Sequence, residues 1–168
     1  HYLRATGDTA YRVHVRARSA LSGARIGVRL MNLGVKSGDD GRIDFDALLR
    51  DVDLQQAIVF ASTKKSTEEI SDLLADSGFA SDALHGDMHQ GLRNRTVRAL
   101  RDGHTRVLVA TDVAARGIDV AGITHVINFE LPNEPDSYVH RIGRTARAGA
   151  EGVAISLVSP DEKSFLRQ

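Results

Sequence analysis

The sequence "VLVATDVAARGIDV" (residues 107–120) joins an apolar run to a cluster of polar groups. The apolar residues at its start are continuous rather than alternating, which is typical of a strand covered on both faces of a sheet. Thr111 and Asp112 follow the run directly, and we expect a tight turn at Gly117 that leads to Asp119. This arrangement places a hydroxyl and two carboxylates at the carboxyl end of the strand, where ligands bind in parallel sheets.

Three more apolar runs have the same continuous character, at residues 57–62, 125–130 and 152–158. The residues between the four runs have helical spacing. Because strands and helices alternate along the chain, the predicted fold class is α/β, a three-layer sandwich in which helices cover both faces of a mainly parallel sheet.

The first helix is predicted ahead of Gly78, a typical stop residue. Ile70, Leu73 and Leu74 lie at positions i, i+3 and i+4 and form its apolar face. Its start is predicted at a capping box formed by Ser66 and the glutamate three residues later.

A second helix is predicted over residues 89–101, ended by Gly103, and a third over residues 133–149. The inward residues of the second helix are predicted to be Leu92, Thr96, Ala99 and Leu100.

The first 45 residues have a different pattern. The stretch "YRVHVRAR" (residues 11–18) alternates apolar and polar residues, which predicts an exposed or edge strand. Residues 1–40 contain seven Lys or Arg and three acidic residues. This basic character is compatible with contact to nucleic acid, but a solvated connector is the favoured interpretation. We therefore expect residues 1–45 to form a linker or an N-terminal extension and residues 46–168 to form the domain.

Composition limits the class of protein. A chain of 168 residues can form one substantial core, and its formal net charge of zero does not exclude nucleic-acid binding. It has no cysteine, which excludes disulfides and thiolate metal sites and fits a cytoplasmic location, and its seven histidines have no metal-ligand spacing. No apolar run is long enough to span a membrane, so no membrane contact is predicted. Because residue 1 is His rather than Met, we expect a longer parent protein.

The stretch "DSYVHRIGRTARAG" (residues 136–149) is unusually basic. Arg141 and Arg144 are three residues apart, so on a helix they face the same side, with His140 one turn from Arg144. No Asp or Glu lies three or four residues from either arginine. An external anion such as phosphate would satisfy both charges, and a structural network with distant acids would do so equally well.

Four segments, in order, resemble motifs of the DEAD-box RNA helicases. "VLVATDVAARGIDV" and "YVHRIGRTARAG" resemble motifs V and VI, and "AIVFASTKKSTEEISDLL" resembles motif IV. "ALHGDMHQGLRNRTVRAL" matches the family's HGD-x-x-Q-x-x-R block, with Gln90 and Arg93 in the named places. The resemblance covers about residues 45–160 and implies the second, C-terminal RecA-like domain of the helicase core.

The resemblance implies a role for each matching residue. Arg141 and Arg144 would be the arginine fingers that reach the γ-phosphate of ATP held by the other domain. Asp119 would bind the ATP ribose, and His140 would help couple the two domains. The residues implied to line or support the RNA backbone track are Thr63, Gly86, Gln90, Arg93, Thr111 and Gly117.

Several of these residues also have a purely structural interpretation. Thr63 is as suitable for capping the helix that follows it as for binding RNA. Asp112 could cap a short helix, and His85 in a turn is more typical of a structural histidine. Without the surrounding pattern, Gln90 and Arg93 would be interpreted as a surface hydrogen-bonded pair.

The sequence contains neither a G-x-x-x-x-G-K-[ST] phosphate loop nor a D-E-A-D run. The resemblance therefore implies that ATP and Mg²⁺ are bound mainly by a separate N-terminal RecA-like domain, the expected partner together with RNA, and that this chain alone is inactive. Contacts to sugar and phosphate predict little RNA sequence specificity. Two alternatives stay open: a related superfamily 2 motor that acts on DNA, and a non-catalytic module that binds RNA or docks a protein.

Overall fold

A computed structural model of the chain describes residues 9–16, 31–32, 45–51, 54–145 and 151–158. Seven strands and five helices lie in these ranges, and both kinds of element alternate from β3 onward. In chain order they are β1 (Thr9–Arg16), β2 (Met31–Asn32), α1 (Phe45–Asp51), β3 (Ala57–Phe60), α2 (Lys64–Asp76), β4 (Ser81–Leu84), α3 (Gln90–Arg101), β5 (Val107–Ala110), α4 (Asp112–Ala115), β6 (His125–Asn128), α5 (Pro135–Ile142) and β7 (Glu151–Val158).

All seven strands form one sheet in the order β2-β1-β7-β6-β3-β5-β4. The five strands from β7 to β4 are parallel to one another. The four apolar runs of the sequence form β3, β5, β6 and β7, so the predicted α/β fold with a mainly parallel sheet is confirmed.

Strand β1 lies in the part of the chain that was expected to be a linker or an extra edge element. It pairs antiparallel with β7 along its whole length, from Thr9 opposite Val158 to Arg16 opposite Glu151. The two-residue strand β2 lies outside it, so β1 is second from the edge. The predicted strand is confirmed over residues 11–16, and its predicted position at the edge of the sheet is wrong because β2 lies outside it. Residues 17 and 18 lie outside the described residues, and the domain division at residue 45 stays a prediction.

The central strands are covered on both faces. In β3, Ala57 and Val59 belong to one buried cluster, whereas Ile58 and Phe60 belong to a second cluster on the opposite face. Alternate residues of a strand point to opposite faces, so a strand between two layers needs apolar side chains at every position. This geometry explains why the run at 57–60 shows no alternation.

Helices α1 and α2 pack on the first face. Leu48 and Leu49 of α1 and Ile70 and Leu74 of α2 are buried in that cluster. Helix α1 was not predicted, although Phe45 begins an i, i+3, i+4 pattern with the two leucines.

Helices α3 and α4 cover the second face. Leu100 of α3 and Ala114 and Ala115 of α4 are buried there, together with Ile118 after α4. The longest helix in the described ranges is α2, with 13 residues, and no helix there has the length and apolar content needed to cross a membrane.

The start of α2 differs from the prediction. The helix begins at Lys64, and the hydroxyl of Thr63 caps it by accepting a hydrogen bond from the Ser66 amide at 3.1 Å. The predicted capping box at Ser66 is therefore wrong, because the helix has already begun there. The stop at Gly78 is confirmed, with φ of 94° two residues beyond the last helical residue.

Helix α3 agrees closely with the predicted span. His89 caps it through Nδ1, which accepts from the Leu92 amide at 3.2 Å, and Gly103 follows its end at φ of 79°. Thr96 and Leu100 are buried as predicted. The inward position of Leu92 is wrong, because its side chain is 36% exposed.

Helix α5 is shorter than predicted. It ends at Ile142, with Gly143 as its C-cap, and residues 146–149 of the predicted span lie outside the described residues. Arg144 therefore follows the helix in a turn instead of lying on it. The expectation that one helix carries both arginines is wrong, although Arg141 and Arg144 line the same cleft.

Strand β4 was not predicted. Only Leu84 of its four residues is buried, and the strand forms one edge of the sheet. An edge strand has a single neighbour and less cover, so its sequence lacks the apolar run by which the inner strands were recognised.

Two leucines of α3 provide a matched test of the core. Leu100→Ala should lower the free energy of unfolding by about 2–5 kcal/mol, because it leaves a cavity in the second cluster. Leu92→Ala makes the same chemical change at an exposed position and should cost about 0.5 kcal/mol or less. Urea unfolding of the two variants measures the difference, and similar losses would mean that α3 is rotated from the orientation described.

Candidate functional site

The polar candidates lie at one edge of the sheet. Thr63, Gly86 and Thr111 come shortly after the carboxyl ends of β3, β4 and β5. These strands are parallel neighbours in the order β3-β5-β4. Their carboxyl ends therefore meet at the same edge, and the three residues lie along it.

A cleft of about 240 Å³ opens at this edge between α4 and α5. We name it the arginine cleft. Its lining includes Phe60, Asp112, Arg116, His140, Arg141 and Arg144.

Arg141 forms the floor of the arginine cleft and is only 2% exposed. Its Nε donates to Asp112 Oδ1 at 2.6 Å, and its Nη2 donates to Asp112 Oδ2 at 2.7 Å. Two parallel charge-assisted bonds of this length are among the strongest polar contacts in proteins. The pair joins the last turn of α5 to the first residue of α4.

The remaining side of the Arg141 guanidinium is also engaged. Nη1 donates to Asn128 Oδ1 at 3.2 Å and to the Glu130 carbonyl at 2.6 Å. The guanidinium carbon lies 5.1 Å from the centre of the Phe60 ring, within cation–π distance. The bonds involve every nitrogen of the guanidinium, so Arg141 is a fixed part of the fold.

The prediction that Arg141 lacks an acidic partner is therefore wrong. Its partner Asp112 lies 29 residues earlier in the sequence, on a different helix, and not at a position three or four residues away. The alternative of a structural network with a distant acid is correct for Arg141. Asp112 is also not the cap of α4, because Thr111 Oγ1 accepts from the Ala114 amide at 3.4 Å in that role.

The network around Arg141 continues into the sheet. Asn128 Nδ2 donates to Ser156 Oγ at 3.1 Å, and Ser156 Oγ lies 3.5 Å from the Tyr138 hydroxyl on α5. Asn128 and Ser156 are buried, and burial raises the pKa of the Tyr138 phenol above its ordinary range. Sequence reasoning missed Asn128, although a polar residue inside the apolar run "HVINFE" indicates a buried partner.

Arg144 has a different environment from Arg141. It is half-buried in the turn after α5, where its Nη1 donates to the Ile118 carbonyl at 2.8 Å. It lines the arginine cleft together with His140, which is exposed. The structure thus brings His140, Arg141 and Arg144 together at one cleft. The two arginines differ in burial: Arg141 is buried and Arg144 is half-buried.

A second cleft of about 410 Å³ lies beside the first. We name it the α3 cleft, because one wall is a face of α3 and the other is formed by residues 114–119. Gln90, Arg93 and Asp119 line it, and Gly117, at φ of 77°, lines both clefts. Asp119 thus lines the α3 cleft with two candidate RNA residues, and the carbonyl of its neighbour Ile118 accepts the hydrogen bond from Arg144.

Arg93 links two segments of the α3 cleft. Its Nη1 donates to the His85 carbonyl at 3.2 Å, and its Nη2 donates to the Ala114 carbonyl at 3.4 Å. Gln90 instead donates to Asn94 at 2.8 Å. The interpretation of Gln90 and Arg93 as a mutual surface pair is wrong, because each side chain has other partners.

The loop after β4 is fastened to the start of α2. His85 is buried and its Nε2 lies 2.7 Å from Glu68 Oε1, which agrees with a structural role. Lys64 and Asp87 form an exposed ion pair, which raises the pKa of Lys64 and lowers that of Asp87. Gly86 lies exposed between these two contacts.

Metal ligation has no evident location in the described ranges. There, no three side chains of the His, Asp or Glu type come close enough together to hold an ion.

Comparison with known proteins agrees with the geometry. Residues 44–149 match the helicase conserved C-terminal domain. The chain is 50% identical over 129 residues to the DEAD-box ATP-dependent RNA helicase CshA of Bacillus subtilis, which covers 75% of this chain and 26% of CshA. The CshA helicase of Listeria monocytogenes is 50% identical over 126 residues, covering 73% of this chain and 24% of that protein. The chain thus spans about a quarter of the length of these curated relatives.

Solved structures of DEAD-box proteins have the same fold. The Escherichia coli DEAD-box protein SrmB, solved with the regulator RraA, has a TM-score of 0.69 and 44% identity over 73% of this chain and 72% of SrmB. A DEAD box protein from Methanococcus jannaschii has a TM-score of 0.66 and 45% identity, over 73% of this chain and 34% of that one. The Dbp5 protein of Saccharomyces cerevisiae, solved with RNA and ADP BeF3, has a TM-score of 0.67 and 34% identity, over 73% and 34% of the two chains.

The family match covers more than half of the chain, and it includes both clefts and the strands that carry them. The chain therefore belongs to the helicase conserved C-terminal domain family and is a C-terminal RecA-like domain of the DEAD-box type.

Proposed function

We propose that the chain is the second domain of an ATP-dependent RNA helicase, which supplies an arginine finger for ATP hydrolysis and half of the RNA backbone track. The observation that carries the proposal is the contrast between two arginines three residues apart. Arg141 is bonded inside the fold, whereas Arg144 lines the wall of a cleft at the carboxyl edge of the sheet.

Arg144 is the finger in this proposal, and Arg141 holds the scaffold. If Arg141 turned outward to meet a phosphate, it would leave Asp112 and Asn128 without their partner. Breaking a fully buried ion pair costs about 3–5 kcal/mol, and the cost here is smaller because Asp112 is 39% exposed. Arg144 is half-buried in the turn after α5 and lines the arginine cleft, so an anion that enters this cleft meets its guanidinium.

Charge stabilisation is the chemistry that Arg144 would contribute. Phosphoryl transfer depends mainly on positioning and on neutralising charge on the phosphoryl oxygens, and an arginine finger is worth about 10³–10⁵ in rate. Since the finger comes from a separate domain, hydrolysis would require closure of the two domains. His140 is exposed on the same cleft and is our candidate for coupling that closure to the site.

Asp119 remains our candidate for the ATP ribose. Its carboxylate is exposed and can accept hydrogen bonds from hydroxyl groups. It lies across Gly117 from the arginine cleft, so a nucleotide that contacts both Arg144 and Asp119 has to pass over this glycine.

RNA is the proposed nucleic acid, bound through its sugar-phosphate backbone. The candidate contacts are Thr63, Gly86, Gln90, Arg93, Thr111 and Gly117. Their common position at the carboxyl edge supports this role, as does the solved complex of Dbp5 with RNA and ADP BeF3. Hydroxyls, amides and arginines that contact the backbone give little sequence discrimination.

ATP and Mg²⁺ would be bound mainly by an N-terminal RecA-like domain, the proposed partner. The sequence contains no phosphate loop, and the metal would be held outside the described residues. In this chain the residues act by binding and orienting the nucleotide. The absence of cysteine is compatible with a cytoplasmic location, which we retain as part of the proposal.

A chimera tests the finger assignment. In it, this chain replaces the matching segment of the Bacillus subtilis CshA helicase, to which it is 50% identical. Arg144→Ala should lower RNA-stimulated ATP turnover by about 10³-fold or more, with a loss of stability of about 1 kcal/mol or less. Arg141→Ala should lower the free energy of unfolding by up to about 3 kcal/mol.

Activity and stability together separate the two roles. Unchanged turnover in the Arg144→Ala chimera would favour a non-catalytic module. Lost turnover with unchanged stability in the Arg141→Ala chimera would return the finger role to Arg141. Stimulation of the unaltered chimera by single-stranded DNA as strongly as by RNA would favour a DNA motor.

A double-mutant cycle in this chain measures the coupling energy between Arg141 and Asp112. Asp112→Ala and Arg141→Ala should each destabilise the domain. Asp112→Ala leaves the buried Arg141 without its carboxylate, and Arg141→Ala leaves the buried Asn128 and the partly exposed Asp112 without their donor. The double variant should lose less than the sum of the two, by about 1–3 kcal/mol. Asp72→Ala removes an exposed carboxylate from α2 and serves as the control, with an expected change of about 0.5 kcal/mol or less. Additive losses in the cycle would contradict the coupling described.

A further inference from the structure

Helix α3 is strongly basic. Its 12 residues include Arg93, Arg95, Arg98 and Arg101, and they include no Asp or Glu. Like charges on one helix repel one another and lower its stability. Such an arrangement is more favourable when an external anion neutralises the charges.

Three of these arginines line the same cleft. Arg93, Arg98 and Arg101 contribute to the α3 cleft, whereas Arg95, which is also exposed, does not line it. Arg116 lies on the opposite wall. Positive charge therefore faces the space from both sides.

The acidic content of the cleft is small. Asp119 is the acidic residue among those that line it, against four arginines. In the described part of the chain, Arg98, Arg101 and Arg116 form neither an ion pair nor a hydrogen bond through their side chains. Asp102 is four residues after Arg98, yet the two do not pair. The α3 cleft thus contains guanidinium groups that the described fold has not neutralised.

Helix electrostatics account for part of this pattern only. Arg98 and Arg101 lie in the last turn of α3, where the negative end of the helix dipole favours cations. The dipole favours a cation anywhere in the last turn, so it does not explain why Arg98 and Arg101 face Arg116 across a cleft. An anionic ligand bound between the two walls explains that arrangement.

The shape of the cleft favours a chain of phosphates over a single one. The wall runs from Gln90 to Arg101, which at about 1.5 Å per residue is roughly 16 Å. Successive nucleotides of one strand advance by about 3.4 Å in a duplex, so several fit along this wall. The residues that line the cleft include no aromatic ring on which a base would stack. Backbone contact is therefore the mode of binding that these side chains suit.

We propose that Arg98 and Arg101 extend the RNA path along α3, binding phosphates of the strand beyond those that Gln90 and Arg93 contact. This inference rests on the proposed function in RNA binding and adds two residues that the motif resemblance does not include. The extra contacts are electrostatic, sequence-independent and sensitive to salt.

The test measures RNA binding by the CshA chimera at several salt concentrations, using fluorescence anisotropy with a single-stranded RNA. The Arg98→Gln/Arg101→Gln variant should bind roughly tenfold more weakly at 0.1 M salt, and the slope of log affinity against log salt should fall by about 1.4. Arg95→Gln is the matched control: the same helix, the same residue type and an exposed position outside the cleft. Its affinity and slope should stay close to those of the unaltered chimera.

Charge and shape are separated by a conservative variant. Arg98→Lys/Arg101→Lys keeps both charges and should keep the slope. A Lys variant that loses as much affinity as the Gln variant would overturn the proposal, as would an Arg95→Gln control that loses half as much as the double variant. A Gln variant with lower thermal stability and unchanged RNA affinity would assign these arginines to the helix dipole alone.

The outcome for this inference differs from the outcome for the proposed function. If the unaltered chimera binds no RNA, the proposed function fails. If it binds RNA and the Gln double variant binds with the same affinity and slope, only the extension along α3 fails. At saturating RNA the double variant should hydrolyse ATP at the unaltered rate, because neither arginine lines the arginine cleft, while a higher RNA concentration is needed for half-maximal stimulation.

Discussion

The bidentate pair between Arg141 and Asp112 is the contact on which the carboxyl edge of the sheet depends. Asp112 follows β5 and Arg141 lies on the helix after β6, and β3 lies between these two strands. The guanidinium crosses that gap over the ring of Phe60 at the end of β3. The Arg141 side chain therefore connects the carboxyl ends of β5, β3 and β6. Asn128 accepts from Arg141 and donates to Ser156, which connects this network to β7.

The segment after α4 lies between the arginine cleft and the α3 cleft. Arg116 and Gly117 line both of them, directly after the helix that Asp112 begins. In the proposed function, the arginine cleft meets the phosphates of the nucleotide, and the α3 cleft meets RNA and, through Asp119, the ribose of the nucleotide. Both ligands would then contact one short segment whose anchor is the pair with Arg141. Each ligand can change the affinity of the other only if it favours a different arrangement of this segment.

Much of the fold could be predicted from the local sequence, because a continuous apolar run indicates a strand buried on both faces and helical spacing of apolar residues indicates the buried face of a helix. The strands from β3 to β7, apart from β4, and the span of α3 were predictable in this way. The end of α5 was misplaced at Gly149, although Gly143, which caps the helix, is itself a typical stop residue. The partner of Arg141 was also hidden, because Asp112 is remote in sequence and meets it only when parallel strands place their ends side by side.

Whether an arginine is available to a ligand depends on what the rest of the fold places opposite it. The absence of acids three or four residues away indicated exposed positive charge for Arg141 and was misleading, because the strand ends bring a carboxylate and an amide to its guanidinium. The same local absence holds for Arg101 on α3, but there the opposite wall supplies Arg116 and a single aspartate. Burial decides between the two cases. A guanidinium that is buried and hydrogen-bonded to its partners stabilises the domain. A guanidinium that is exposed in a basic cleft can bind a phosphate.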